Sequence, residues 1–292
     1  MDIKKLNKIF SYSILISSLG YFIYFTVTNI DQFENLKNLT YQSIVLIFLL
    51  KFLNIIFLSN INLNILKNLD IFLTNKNSIE LTIKNTLGNL TTPFKIGSGY
   101  KLTYLKKNYD FKVKDYLFWT TLYSIINLYP IYFIFVLFSF LQNNEVISIH
   151  LYFLLIMGIC LLLVPLIIRS NKVKKIFNIK NKFRIFSKSN LIIQFNNILF
   201  FVSTSFIVYT IIRSYDHNFS FFSGLSYSFL SSFVNLINVT PGNIGTKEGL
   251  IIVFNQLHGI GFELVIIVSF IERLTSLITL FLFQILLKKT KD

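Results

Sequence analysis

Residues 240–250, TPGNIGTKEGL, place backbone-breaking residues directly before an adjacent pair of opposite charges, between two apolar runs. Pro241 fixes φ and removes an amide donor, while Gly242 and Gly245 permit unusual dihedrals and close backbone approach. We therefore expect the chain to turn sharply here, with the charges beside the turn.

The chemistry that such a turn favours is anion binding. A helix that begins near Thr246, a suitable N-cap, would leave its first amide groups unpaired and carry a partial positive charge. Phosphate binds readily at helix starts of this kind. Lys247 would add a cationic donor, and Glu248 would balance a Lys or Arg or carry a coupling proton. In the alternative interpretation, the glycines and the proline only kink a membrane helix and the two charges form an interfacial pair.

A second adjacent pair of opposite charges, Glu272 and Arg273, lies inside the last apolar run, in IVSFIERLTSL. Ionisable residues at membrane depth are costly and usually face the interior of a helix bundle. Neighbours along a helix do not face each other, so each of the two needs a partner from elsewhere. We predict that Glu248 pairs with Arg273, and both a transport role and a purely structural role remain open for this pair. Lys51, in the middle of another apolar run, is a further candidate for a buried cation.

The composition places these groups in a membrane protein. The 292-residue chain is 53% hydrophobic and 17% aromatic, with 14% charged residues and a mean hydropathy of +0.62. An apolar run of about 20 residues is long enough to cross a bilayer as a helix. Six such runs recur, at about 10–28, 41–60, 116–141, 149–169, 191–213 and 264–287. The sequence therefore predicts an all-α polytopic membrane protein with about six transmembrane helices.

The positions of Lys and Arg predict the orientation, because cationic loops tend to stay on the cytoplasmic side. Four segments are rich in these residues: the N-terminus, 95–114, 169–188 and the C-terminal tail. Three connecting segments are acidic or nearly uncharged: 29–40, 142–148 and 214–219. Both termini are thus expected in the cytoplasm, with the protein in the cell membrane. The net charge of +15 then reflects topology, and no nucleic-acid partner is expected.

Metal and disulfide chemistry are not indicated. The lone Cys160 lies in an apolar run, and the three His residues are scattered along the chain. Neither arrangement has the spacing of a His/Cys metal site. We predict no metal and no cofactor.

Two further segments, about 80–92 and 221–239, would reverse the predicted orientation if each crossed the membrane. We interpret each as the first arm of a re-entrant hairpin that enters and leaves on one side. Non-helical backbone at membrane depth is tolerated only where it is buried in protein or lines a wet cavity. The breaks in these hairpins are therefore places to look for function.

An internal repeat relates the two hairpins. Advancing the chain by 148 residues places TPFKIGSGYKL, residues 92–102, on TPGNIGTKEGL, with five of eleven positions identical. Most of the apolar runs align at the same offset. Each half of this single membrane domain, about 1–145 and 146–292, would hold three spans and one hairpin, and the odd number of crossings would invert the second half. The hairpin tips would then meet near the midplane, as in many secondary transporters.

The second-half motif resembles that of a known family. The residues P-G-x-I-G-x-x-E from Pro241 to Glu248, followed by Arg273 in the next span, are similar to those of the lysylphosphatidylglycerol synthase transmembrane region family. Members of this family are flippase-like integral membrane proteins, which also occur as stand-alone chains. The resemblance covers nearly the whole chain.

The first-half motif of that family is a Pro, a basic residue, Gly-Glu and a second basic residue. It is matched here by Pro93, Lys95, Gly97 and Lys101, while Ser98 stands where the family usually has Glu. Lys95 and Lys101 would add cationic donors beside Lys247, and the resemblance supports both hairpin tips as candidate substrate-binding segments.

The resemblance implies a flippase or transporter of lipids or lipid-linked substrates that binds an anionic head group at the two tips. Its partners would be a membrane phospholipid or a polyprenyl-linked glycan, with a separate synthase or glycosyltransferase. Aminoacyl transfer in two-part members belongs to a soluble synthase domain, which is not found here, so no enzyme activity is expected. Two alternatives remain: a membrane-embedded transferase, with Asp31 and Glu34 as its outer acidic pair, and a non-transporting scaffold.

Overall fold

The computed structural model describes residues 37–92, 95–141, 187–237, 243, 246–253 and 259–289, and the single residues 20, 23, 24, 27, 28 and 159. These residues form helices joined by short turns, and none of them is in a strand. The helices are α1 (Tyr41–Asn68), α2 (Asn75–Thr91), α3 (Ile96–Tyr109), α4 (Val113–Ile126), α5 (Leu128–Leu141), α6 (Lys188–Arg213), α7 (Phe221–Ile237), α8 (Thr246–Val253) and α9 (Phe262–Lys289).

Four helical segments are long and apolar enough to cross a membrane. They are Tyr41–Asn68, Val113–Leu137, Lys188–Arg213 and Phe262–Leu287. They coincide with the second, third, fifth and sixth predicted spans. The first and fourth predicted spans, 10–28 and 149–169, fall outside the described residues except at single positions. The protein is an all-α polytopic membrane protein, and the total of six spans stays a prediction.

Polar residues directly before three of the helices fix where those helices begin. The side-chain oxygens of Thr40, Thr74 and Ser187 accept hydrogen bonds from backbone amides in the first turns of α1, α2 and α6. These caps satisfy amide groups that have no partner within the helix. These three helices therefore start at positions defined by single Ser or Thr residues.

The helices α1 and α6 pack against each other along much of their length. Three side-chain hydrogen bonds join the two helices: Asn54 to Thr204 at 3.4 Å, Asn60 to Asn196 at 3.3 Å and Asn68 to Asn190 at 2.8 Å. Later positions in α1 meet earlier positions in α6, so the helices run antiparallel. Such bonds between membrane helices contribute about 0.6–2 kcal/mol each. Several of the abundant Asn residues therefore join helices, a role that the sequence pattern did not predict.

Each predicted hairpin is a pair of packed helices separated by a break. α2 packs on α3 across residues 92–95, and α7 packs on α8 across residues 238–245. At a rise of about 1.5 Å per residue, α2 and α3 are shorter than the roughly 30 Å hydrocarbon core of a bilayer, as are the described parts of α7 and α8. That the two hairpins are re-entrant, and the side from which each enters, stays a prediction. Helix α9 contacts both hairpins, through α2 and α8.

The offset of 148 residues found in the sequence also relates the helix bounds. Advancing the starts of α1, α2, α3 and α4 by 148 gives 189, 223, 244 and 261, and α6, α7, α8 and α9 begin at 188, 221, 246 and 262. Lys95 and Asn243, at equivalent positions, both have left-handed backbone, with φ of 55° and 58°. The antiparallel course of α1 and α6 is the one that inverted halves require. The division of the whole chain into inverted repeats stays a prediction.

Candidate functional site

The two pairs of adjacent charges face each other where α8 packs on α9. Arg273 Nη2 lies 2.5 Å from Glu248 Oε1, so the predicted pairing of these residues is confirmed. Lys247 Nζ donates a hydrogen bond to Glu272 Oε2, a pairing that we did not predict. The order of charges contains the signal for it, because a Lys-Glu pair opposite a Glu-Arg pair can form both bridges at once. Thr246 is the first described residue of α8, and its hydroxyl donates to the Asn243 carbonyl, while its role as an N-cap stays a prediction.

Lys51 of α1 extends the cluster to a third helix. Its Nζ lies 3.9 Å from Glu272 Oε1, so the Glu272 carboxylate lies between two ammonium groups. The Lys247 ammonium also lies 5.1 Å from the centre of the Tyr227 ring, at cation–π distance. We call Lys51, Lys247, Glu248, Glu272 and Arg273 the charge cluster. With all groups ionised, its three cations exceed its two carboxylates by one charge.

Burial makes this excess charge significant. Glu272 and Arg273 are 7% and 8% exposed, and Lys51 and Lys247 are nearly as enclosed. A buried charge is costly unless it is paired and hydrogen-bonded. The ion pairs compensate most of the cluster, while one positive charge remains to attract an anion.

A cavity of about 190 Å³ adjoins the charge cluster. We call it the charged cavity; its walls come from α1, α2, α6, α7 and α9, with Lys247 of α8. Lys51, Asn54, Ser228 and Ser231 line it together with Glu272. Asn54 Oδ1 and the hydroxyls of Ser228 and Ser231 are buried and have no hydrogen-bond partner among the described residues. An unsatisfied buried polar atom costs about 1–3 kcal/mol, so these atoms indicate a polar occupant.

The two predicted basic residues of the first hairpin lie in different surroundings. Lys95 precedes α3 and is half-buried in left-handed backbone, with no side-chain capping bond. Lys101 is 7% exposed, and its Nζ donates to Asn62 Oδ1 of α1 at 2.6 Å. No carboxylate of the described residues lies within 4.0 Å of this ammonium. Lys101 is therefore a buried cation that only an amide oxygen satisfies.

A larger cleft, of about 1,040 Å³, opens beside this hairpin. We call it the hairpin cleft; it is lined by α1, α2, α3 and α4, with Lys95 and Lys101 among its polar groups and Ile61 and Leu117 among its apolar ones. Leu58 and Thr86 line both the cleft and the charged cavity. The cations of the two hairpins therefore line neighbouring spaces.

Gly97 acts through close packing. A Cβ built at this position would lie 2.0 Å from the Asn85 carbonyl oxygen and 2.7 Å from the Asn89 amide nitrogen. Only glycine lets α3 approach α2 this closely. The remaining predicted residues of the tips, Pro93, Pro241, Gly242 and Gly245, lie outside the described residues, as do Asp31 and Glu34.

The left-handed backbone of Lys95 predicts that one substitution can stabilise the protein and also slow translocation. The left-handed region costs an ordinary residue about 1–2 kcal/mol, and Asn tolerates it better and also caps helices well. We expect Lys95→Asn, which copies the equivalent Asn243, to raise the unfolding temperature and to slow lipid translocation in reconstituted vesicles. Lys95→Gln removes the charge but keeps the strained backbone, so it should slow translocation without stabilising the protein. Equal unfolding temperatures for the two variants would contradict the backbone explanation.

Metal binding has no support in the described part of the chain, where no group of three or more His, Cys, Asp or Glu residues could hold an ion.

Comparison with known proteins identifies the family of this chain. A family model described as Lysylphosphatidylglycerol synthase TM region matches residues 10–284. No curated protein and no solved structure matched the chain. Since the match spans nearly the whole sequence and includes both hairpins, the chain belongs to the lysylphosphatidylglycerol synthase transmembrane region family.

Proposed function

We propose that this protein is a flippase or transporter that moves a lipid or lipid-linked substrate across the cell membrane and binds its anionic head group between the two hairpins. The observation that carries the proposal is the charge cluster, in which buried cations exceed carboxylates beside a polar cavity. A soluble partner could be held at a surface, whereas charges buried among membrane helices serve a ligand that enters the bundle.

The arrangement of the two cavities supports an amphiphilic substrate. The hairpin cleft offers apolar walls for a hydrocarbon chain and two lysines for a head group. The charged cavity, next to it, is small and polar. A head group can therefore leave water at the cleft and meet compensating charge inside the protein, while its chain keeps apolar surroundings.

The second hairpin is the part expected to move during transport. Its short arm α8 is tied to α9 by two ion pairs and carries two of the five charges of the cluster. An anion that binds Lys247 weakens its bridge to Glu272, and this change of partner couples head-group binding to the position of α8. A ligand shifts such an equilibrium only by its difference in affinity for the two states.

The proposal includes the orientation of the protein in the membrane and the chemical class of its substrate. Both termini lie in the cytoplasm, and the substrate is a phospholipid or a polyprenyl-linked glycan that a separate synthase or glycosyltransferase makes or consumes. The protein moves this substrate without changing it chemically. The basic loops on one side and the acidic or neutral loops on the other support this orientation.

Translocation of a fluorescent anionic phospholipid in reconstituted vesicles tests the proposal. We expect Lys247→Gln and Glu248→Gln each to lower the rate at least about tenfold, equivalent to about 1.4 kcal/mol in the barrier. Lys188→Gln, at an exposed position at the start of α6, is the matched control and should leave the rate unchanged. Size-exclusion chromatography verifies that each variant is folded.

Two results would contradict transport. Unchanged translocation in folded Lys247→Gln and Glu248→Gln protein would remove the charge cluster from the mechanism. A wild-type protein that moves no lipid but co-purifies with a synthase or glycosyltransferase would instead be a scaffold.

A further inference from the structure

We infer that the charged cavity is an occluded binding site for a phosphate group, with Lys51, Ser228 and Ser231 as its ligands. If the phosphate belongs to a lipid, the inference rests on the proposed function and identifies the transported substrate as a phosphate ester. The three proposed ligands lie outside the sequence motifs of the hairpin tips, because Lys51 belongs to α1 and Ser228 and Ser231 belong to α7, while Lys247 of the second motif also lines the cavity.

Unsatisfied hydrogen-bonding groups converge on the cavity. Asn54, Ser228 and Ser231 are 6%, 2% and 5% exposed, and each has a side-chain polar atom without a partner in the described part of the chain. Asn54 is held in place by its amide nitrogen, which donates to Thr204 of α6. The two serine hydroxyls are free to donate to ligand oxygens, and the Asn54 oxygen to accept from a ligand hydroxyl. These groups come from two helices that are distant in sequence, so the tertiary fold creates the site.

The charges that face the cavity select an anion. The Lys51 ammonium makes no hydrogen bond to the described residues, and its ion-pair partner, Glu272 Oε1, is 3.9 Å away, so its N–H donors are available to a ligand. Lys247 is also positive, and Glu272 is the single carboxylate among the lining residues. A metal ion would meet two ammonium groups and one carboxylate that is already hydrogen-bonded, and would be repelled. An oxyanion would gain a cation and two hydroxyl donors.

The size of the cavity favours a compact head. About 190 Å³ corresponds to the share of about six water molecules in the liquid, at about 30 Å³ each. A phosphate group has five heavy atoms and fits this space, whereas a hydrocarbon chain does not. The chain would remain in the hairpin cleft, which is more than five times larger.

Leu58 and Thr86 lie between the two spaces. Both residues line the cleft and the cavity, and both are only partly buried. A phosphate that first meets Lys101 in the cleft would reach Lys51 when these two side chains move aside. The buried cations at the two ends make the route electrostatically favourable for an anion along its length.

Ligand binding to the full-length protein in a phosphate-free maltoside detergent tests the site. Titration calorimetry would compare three probes: inorganic phosphate, dihexanoyl phosphatidylglycerol and dihexanoylglycerol, which has no phosphate. We expect both phosphate probes to bind and dihexanoylglycerol to bind at least about tenfold more weakly than the phospholipid. Lys51→Gln should weaken both phosphate probes at least about tenfold.

The variants have close matches elsewhere on the same helices. Lys67→Gln removes an exposed lysine from α1 and should leave phosphate affinity unchanged. Ser228→Ala combined with Ser231→Ala should weaken phosphate binding at least about tenfold. Ser226→Ala is the control on α7, because Ser226 is also buried with an unpartnered hydroxyl but does not line the cavity. The serine variants keep the test valid if Lys51→Gln does not fold.

Each outcome decides between the proposal and its alternatives. Unchanged phosphate affinity in folded Lys51→Gln protein and in the double serine variant would overturn the site, and a double serine variant that only gains stability would identify an empty polar cavity. Binding of inorganic phosphate with no binding of the phospholipid would assign the site to free phosphate and overturn the lipid form. Phosphate binding that depends on Lys51 in a protein that translocates no lipid would contradict the proposed function and leave the site standing.

Discussion

Glu272→Gln lowers the free energy of unfolding by about 3–5 kcal/mol, the loss expected when one partner of a buried ion pair is removed. Glu272 lies between Lys51 and Lys247, and its side chain is 8% exposed. Without the carboxylate, both lysines and Arg273 remain among membrane helices with Glu248 as the only acid of the cluster. A total stability of about 5–15 kcal/mol is typical of proteins, so this single change removes a large share. Equilibrium unfolding of the purified protein in detergent measures the effect.

A second substitution tests the electrostatic cause. Adding Lys247→Gln to Glu272→Gln removes one of the unbalanced cations and should recover part of the lost stability. Glu263→Gln, at an exposed position in the first turn of the same helix, is the control and should change the unfolding midpoint little. A double variant less stable than Glu272→Gln alone would show that shape, and not charge balance, dominates at this position.

Gly97→Ala destabilises the first hairpin by about 3 kcal/mol or more, at the upper end of the range for overpacking. The added methyl group would lie 2.0 Å from the carbonyl oxygen of Asn85 and 2.7 Å from the amide nitrogen of Asn89. Both are backbone atoms of α2, so no side-chain rotation relieves the contact, and α3 must move away. Lys101 is on α3 as well, so translocation should fall together with stability. Thermal unfolding and the vesicle assay measure the two effects.

Gly99→Ala is the matched control, since a Cβ at position 99 would meet no atom within 4 Å. Alanine favours a helix over glycine by about 0.8–1 kcal/mol, so Gly99→Ala should stabilise the protein. The two substitutions, two residues apart in one helix, are thus expected to have opposite signs. Destabilisation of the same size at both positions would show that helix propensity or loss of flexibility, and not the contact with α2, explains Gly97.

The charge cluster could be predicted from the sequence in part. The need for partners at Glu272 and Arg273 follows from the cost of burying charge, and it correctly predicted the Glu248–Arg273 pair. The bridge from Lys247 to Glu272 and the approach of Lys51 were missed. Both depend on which turns of α1, α8 and α9 lie at the same depth, and no local pattern in the sequence encodes that alignment.

The roles of the uncharged polar residues were not predicted. Neither the Asn residues that join α1 to α6 nor the Ser residues of α7 that line the charged cavity belong to a motif. A hydroxyl or an amide in a membrane helix can bond its own backbone or a neighbouring helix, or face a cavity, and its residue type is the same in each case. Ser226, Ser228 and Ser231 lie on one helix, and only the positions of the surrounding helices separate the two that line the cavity.

The membrane class, four of the predicted spans, the two packed helical arms of each hairpin and the family were determined by the sequence alone. Each depends on a local quantity, namely the transfer free energy of a run of about 20 residues, the backbone limits of Pro and Gly, or a short motif. The tertiary structure decided which charges pair, where unsatisfied hydroxyls converge and why Gly97 must be glycine. Those features arise between helices up to about 220 residues apart in the chain, such as α1 and α9, because packing free energy depends on which helix faces meet.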